Sequence, residues 1–441
     1  MQLAILAIAR NLYYISLKPL FMNENILFIV RRVKEKLWFR PLIFCVLSIL
    51  GALIAQIADS TQLHELVPEI KNESLGELLS TISASMLVIA IFAVGSMISA
   101  FSAASNTATP RSFKLIIADD VSKNALSVFI GSFIYSIVAM VALKNGYYGK
   151  AGHFVLFVFT LLFFALVILT FLRWVERISK LGRMGHTIKL VEDATENAIN
   201  KTLLSPLINT LSVHPNEDKG TAFFSNKTGY VQQINYGKLQ DIAEELEAFI
   251  TINGIPGTLC TIDKPLYYIK LQNKADLAAD YSALQKAFTI GDMRYFDEDP
   301  RFGLITLSEI ASRALSPAVN DPGTAIQIIS SYVRLFSLWA KPKSNKNEDQ
   351  KFYNRIATTT AAIEDLFDDS FRPIARDGAG NIEVMIRLQK AFKTLTTIAN
   401  PDIQKAALHH SYQAFERAEL EMKLEADVTL LKKESLFAQK L

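Results

Sequence analysis

Cysteine is scarce, with Cys45 and Cys260 alone in 441 residues. That excludes a disulfide-stapled secreted scaffold, and no paired spacing suggests a zinc site. Charge is also scarce. Only 20% of the residues are Asp, Glu, Lys or Arg, against ~25% in an ordinary soluble chain, and half are apolar. The formal net charge of +3 provides no electrostatic footprint for nucleic acid. Six histidines are scattered; His409 and His410 adjoin on an expected helix, about 100° apart, and are not expected to face one metal together. There is no Gly-x-Ser-x-Gly elbow and no phosphate-cradling glycine loop, Gly378-Ala379-Gly380 reading as a plain turn. Cys260 has no histidine partner in sequence. These absences leave an enzyme without support and call for no cofactor and no metal. What remains is a chain of membrane segments joined to a globular part.

Four stretches lack Asp, Glu, Lys and Arg altogether: Pro41–Ala58, Leu78–Pro110, Ala125–Leu143 and Ala151–Leu172. A helix crosses a hydrocarbon core of ~30 Å with roughly 20 apolar residues, and each stretch meets or approaches that length. Leu37, Trp38 and Phe39 extend the first, and Arg40 can snorkel to headgroups. The second is expected to end near Phe101, with Ser102–Pro110 as a loop. Arg31, Arg32, Lys34, Lys36 and Arg40 precede the first span, whereas Asp59, Glu65, Glu69, Glu73 and Glu77 follow it. Arg173, Arg177, Lys180, Arg183 and Lys189 follow the fourth. The positive-inside rule therefore places both termini in the cytoplasm, with Trp38 and Trp174 at the cytoplasmic interface and Tyr147 and Tyr148 at the opposite one. Residues 1–21 are expected to be either an interfacial helix or, as the plainer reading, an upstream extension with Met22 as an alternative start.

The spans differ in texture. The fourth is crowded with Phe154, Phe157, Phe159, Phe163, Phe164 and Phe171, which suit lipid. The second and third carry small residues four apart: Gly95 and Ser99, then Ser127 and Gly131, and Ser132 and Ser136. Small residues let helices approach closely in a bilayer. These faces are expected either to pack helix on helix or to line a water-filled path between protomers. No charged residue lies within a span, which argues against a carboxylate proton relay.

The fold class expected is therefore four transmembrane helices (37–172) followed by a cytoplasmic α+β region. An amphipathic linker helix is expected over 173–210, its stripe made by Ile188, Val191, Ala194, Ala198 and Leu203. A small β-rich unit follows over 211–275: strands within Ala222–Asn235, a short helix Lys238–Phe249, then Ile250–Ile252 and Thr258–Ile269 as strands. Its order resembles, in shape only, the small barrel of biotinyl and lipoyl carrier domains. Residues 276–441 are expected to be helical, including Phe352–Phe367 and one long charged helix from Asp402 towards Lys433.

Two segments stand out. One is Ser105-Asn106-Thr107-Ala108-Thr109-Pro110-Arg111-Ser112, with Asp119 and Asp120, between the second and third spans. The other begins Asp299-Pro300-Arg301-Phe302-Gly303 and resumes at Arg313-Ala314-Leu315-Ser316-Pro317-Ala318-Val319-Asn320-Asp321-Pro322. Each Asp-Pro pair places a capping side chain before a proline at the first helical position. Arg313, Ser316 and the helix start at Asp321 could instead form a polar corner for an anion or a partner loop. On these residues the chain resembles the predicted bacterial membrane proteins of domain-of-unknown-function family 2254, over roughly residues 22–420, with Phe371-Arg372-Pro373-Ile374 a further match. The resemblance implies a multi-pass protein of the bacterial inner membrane with a long cytoplasmic region, and it implies no activity.

Two functions are compatible with this pattern. One is a homo-oligomeric, channel-like protein with the lipid bilayer and its own copies as partners. The other is a membrane-anchored sensor or scaffold that binds a cytoplasmic protein through its helical part.

Overall fold

The computed structural model describes residues 39–60, 67–117, 119–204, 209–212, 220–271, 282–340 and 352–435. Expectations for residues 1–38, Trp38 and Met22 among them, lie outside these. The chain forms two compact units, residues 1–102 with 117–182, and residues 103–116 with 183–441.

The first part of the chain builds helices α1 (Phe39–Ile57), α2 (Asn72–Thr107), α3 (Phe113–Ile117), α4 (Asp120–Lys144) and α5 (Lys150–Leu181). Of these, α1, α2, α4 and α5 are long and apolar enough to cross a membrane. Helix α4 is the central one, packed against α1 and α5. Half of its apolar window is buried, against 18% for α1 and 17% for α5. Its small residues Ala125, Ser127, Gly131, Ser132, Ser136 and Ala139 all lie inside, as close backbone approach requires. On α2 the opposite holds: Gly95 and Ser99 face outward.

The polar ends of this unit are tied by named bonds. The Asp59 carboxylate accepts from the backbone N–H of Gly149 (2.6 Å) and of Gly152 (2.7 Å), and so caps α5, which has no side-chain cap of its own. A Cβ on Gly152 would stand 2.4 Å from Asp59 Oδ2 and 3.0 Å from the Ala55 carbonyl oxygen, so glycine is required there. Buried Asp119 caps α4 through Ser122 N–H and pairs with Arg177 at 2.7 Å. Arg40 bonds Asp120 and Asn124. The Trp174 ring is buried against Phe92, Phe129 and Phe171, so helix packing holds it in place.

In the second unit, α6 (Met184–Ile199) carries the amphipathic stripe but is shorter than the helix expected over 173–210, since 173–181 continue α5 and 209–212 form a strand; it ends in a π turn, Asn200–Leu204. Then come β1 (Asn209–Ser212), β2 (Thr221–Phe224), β3 (Gly229–Ile234), α7 (Tyr236–Glu245), β4 (Ala248–Ile252), β5 (Leu259–Cys260), β6 (Pro265–Leu271), α8 (Ser282–Gln285) and β7 (Phe288–Gly291). Helices α9 (Pro300–Leu315) and α10 (Pro322–Phe336) precede strand β8 (Phe352–Thr358). Helices α11 (Ile363–Asp377), α12 (Ile382–Leu395), α13 (Pro401–Glu421) and α14 (Glu425–Glu434) finish the chain.

The strands form two sheets rather than one small barrel, in the orders β1-β8-β4-β6-β2 and β5-β3-β7. Residues 352–358, expected as helix, instead insert as β8 between β1 and β4, parallel to both. The range expected to be wholly helical from residue 276 thus contributes β7 and β8. The long helix expected after Asp402 is broken into α13 and α14. Alternation in β4 sends Ala248, Ile250 and Ile252 inward. The Tyr267 ring lies stacked between Phe223 and Phe288, at 5.3 and 5.4 Å. The helical core gathers Tyr332, Phe336, Phe367, Phe371 and Phe392.

Candidate functional site

The two distinctive sequence segments meet in the second unit. The loop between α2 and α4 is built into that unit's core. Thr109 heads a 3-10 turn, Pro110–Ser112, its hydroxyl accepting from Arg111 N–H. Ser112 Oγ donates to the Thr109 carbonyl at 2.8 Å. Ala108, Thr109, Ser112 and Ile116 are all buried, and Ala108 packs among the residues of α9 and α10.

Helix α9 supplies the matching groups. Glu309 accepts from Thr109 Oγ1 (3.2 Å) through one carboxylate oxygen and pairs with Arg111 Nη1 (2.5 Å) through the other. One turn on, Arg313 Nη1 donates to the Ala108 carbonyl at 3.5 Å. Lys114 Nζ lies 3.8 Å from the centre of the Tyr295 ring, a cation–π contact. Arg111 is thus held by Glu309, a residue that sequence reasoning missed, while Arg313 holds the same loop at Ala108. The i, i+4 spacing of Glu309 from Arg313 was the available signal.

The rest of the second segment fixes α9 and α10. Asp299 caps α9 by accepting from Phe302 N–H, with Pro300 at the first position. Its buried carboxylate is held by Arg294 at 2.6 and 2.8 Å. Gly257, at φ +89, presses its α-carbon against that carboxylate, where a Cβ would come within 2.4 Å. Arg301 reaches across to Asp369 (2.7 Å) and Asp365 (3.3 Å) on α11. Burial pushes the Asp369 carboxyl above its ordinary value despite that arginine.

Between the helices, Ser316 Oγ donates to the Arg313 carbonyl, Asn320 stands at φ +48, and Asp321 N–H returns to the Ala314 carbonyl. Pro317, Ala318, Val319 and Asn320 form an exposed knuckle on this frame. Asp321 caps α10 by accepting from Thr324 N–H (3.1 Å) and Thr324 Oγ1 (2.6 Å), bonds that hold its carboxyl below the usual range. The capping geometry, with Pro322 at the first position, is what these residues build. Arg313 turns to the Ala108 carbonyl, and among the described residues no bond joins it to Asp321.

Among the packing residues, Ser127 donates to the Lys123 carbonyl at 2.6 Å. Ser132 and Ser136 are buried with Oγ atoms that have no hydrogen-bond partner among the described residues. Gly95 and Ser99 lie on the outer face of α2, apart from these.

Comparison with known proteins gives short and long matches. An uncharacterized protein of Mycobacterium tuberculosis, Rv1290c, and one of Mycobacterium bovis, Mb1321c, are each 58% identical to the chain over 40 residues. That stretch is 9% of this chain and 8% of theirs, so the match spans a small part of either. No solved structure matches. The model of the family DUF2254, described as predicted membrane protein, matches residues 34–394 and so takes in both units. The chain belongs to that family.

Proposed function

We propose that the protein is a membrane-anchored sensor or scaffold in which the loop after α2 links the helices of the first unit to the folded state of the second. The observation that carries this reading is the loop itself. It leaves and re-enters the first unit, yet its Ala108 lies in the second unit's core and its Thr109 and Arg111 grip Glu309. A close-packed interior is stiff, so a change passed along α2, which is helical as far as Thr107, would be felt by the α9 residues that hold the loop. The exposed knuckle 317–320, at the far end of α9, is the natural face for a cytoplasmic partner. In this proposal the protein is a multi-pass protein of the bacterial inner membrane with both termini cytoplasmic. Cysteines introduced as Glu69→Cys and Glu419→Cys should then label from opposite sides, and labelling from one side contradicts the arrangement.

Hydrogen exchange of the full chain in nanodiscs of two lipid chain lengths tests the link. Protection over 300–336 should change with bilayer thickness, and Thr109→Val with Arg111→Ala should diminish the response. No change with thickness in the parent protein overturns the reading. The outward Gly95–Ser99 face supports a second reading, a homo-oligomeric channel lined where copies meet. Large single-channel currents from purified protein, unaltered by the loop variants, would favour it.

A further inference from the structure

Away from this junction, α11 and α13 bring three ligand-type side chains to one point. Glu364 and Asp368 are four residues apart and share a face of α11. Facing them from α13 is His410. The donor atoms of all three lie within 4.8 Å of one another. His410 is 2% exposed, and its Nε2 has no hydrogen-bond partner among the described residues. That nitrogen stands 3.3 Å from Asp368 Oδ1 and 3.9 Å from Glu364 Oε1. An imidazole nitrogen this deeply buried normally carries a bond, and this one is aimed between two carboxylates without making one.

We propose that Glu364, Asp368 and His410 form a binding site for a first-row divalent cation such as Zn2+. The donor set, one nitrogen and two carboxylate oxygens, suits such ions. Bonds of ~2.1 Å in tetrahedral geometry put neighbouring donors about 3.4 Å apart. The His410–Asp368 separation already matches, and half-exposed Glu364 needs only a small rotation to close. Three protein donors leave one position open for water or a further ligand. His410 is also fixed in place, among the rings of Phe367, Phe371 and Phe392.

Cations already nearby set the competition. Arg372 pairs with Asp368, and Arg417 lies close enough to act on His410. His409 Nε2 stands 3.8 Å from Glu364 Oε1, while also contacting Gln413, at the exposed rim. A bound ion must share Asp368 with Arg372. Removing that arginine should therefore tighten binding, whereas a site held together only by its ion pair would gain nothing from the change.

The experiment is equilibrium dialysis of the full-length, detergent-solubilised protein against ZnCl2, with Co2+ absorption as a second readout. One equivalent per chain should bind. Affinity should fall at least tenfold in Glu364→Gln and in Asp368→Asn, and rise several-fold in Arg372→Gln. Glu364 is exposed enough that its variant keeps the fold, which separates lost ligation from lost structure. Stoichiometric binding that Glu364→Gln and Asp368→Asn leave unchanged overturns the site, as does an absence of binding by the parent protein.

Discussion

The two units are both rich in helix, yet they are built inside out relative to each other. In the first, the large exposed side chains are apolar, Val88, Ile91, Phe92, Ile98, Leu169 and Leu172 among them, while Ser127, Ser132, Ser136 and Thr160 are buried. In the second, Phe336, Phe367, Phe371 and Phe392 are buried and the arginines work at the surface, pairing with acids beneath them. Glu192 on α6 shows the pattern: its buried carboxylate takes two bonds from Arg334 and one from Ser331. The difference teaches which surroundings each exterior suits. An exterior of Ile, Leu, Val and Phe suits hydrocarbon, where association rests on small residues and close packing rather than on burying apolar area. The second unit obeys the ordinary rule of water.

The strongest way to break this comparison is to delete a large side chain from each exterior and core. Phe371→Ala should destabilise the second unit by about 3–5 kcal/mol through the cavity it leaves, since its ring contacts Tyr332, Phe336, Phe367 and Phe392. Ile91→Ala, at a position 66% exposed, should stay within about 0.5 kcal/mol. Thermal melting of the full chain in detergent checks both, and similar losses would mean that the α2 face is covered. Next in size is Gly152→Val, which drives a side chain into Asp59 and the Ala55 carbonyl and should cost about 1–3 kcal/mol. A Cβ on Gly95 meets no neighbouring element within 4 Å, so Gly95→Val should leave melting unchanged. A fall in its oligomeric mass, read by light scattering, would place that face between copies.

Smaller still is Asp321→Ala, which removes a helix cap and should cost about 1 kcal/mol without altering the exposed knuckle before it. The least effect is expected at Glu192. Burial would raise its carboxyl, but hydrogen bonds from Arg334 and Ser331 outweigh that and hold it below the usual value. Its contribution is therefore present above the ordinary carboxylate range and is lost as pH falls through the lowered value. The contribution is modest because the Arg334 side chain is 57% exposed. The melting difference between the parent and Glu192→Gln should shrink as the medium is made acidic below about pH 4, and a difference that grows there contradicts the sign.

What could be read in advance follows the range of the interaction. The four apolar helices and the caps at Asp299 and Asp321 are local features, carried by unbroken apolar runs and by an aspartate beside a proline. Strand β8 was hidden because its partners β1 and β4 lie some hundred residues upstream, and parallel pairing leaves no mark in a short segment. Glu309 was missed for the same reason, its partners lying about two hundred residues away. The adjacency of His409 and His410 on one helix argues against a shared metal, yet both ring nitrogens stand within 4 Å of Glu364 Oε1. The other ligands come from a different helix, where Glu364 and Asp368 had the right spacing but no visible histidine.

The central claim is that the loop between α2 and α4 belongs to the second unit. A cysteine pair, Thr109→Cys with Glu309→Cys, treated in native membranes with a short thiol crosslinker, tests it most directly. The geometry predicts an intrachain crosslink formed in high yield, and faster than in a control pair of Thr109→Cys with Glu419→Cys. Equal, slow reaction of both pairs would show that the loop does not rest on α9 and would remove the basis for coupling.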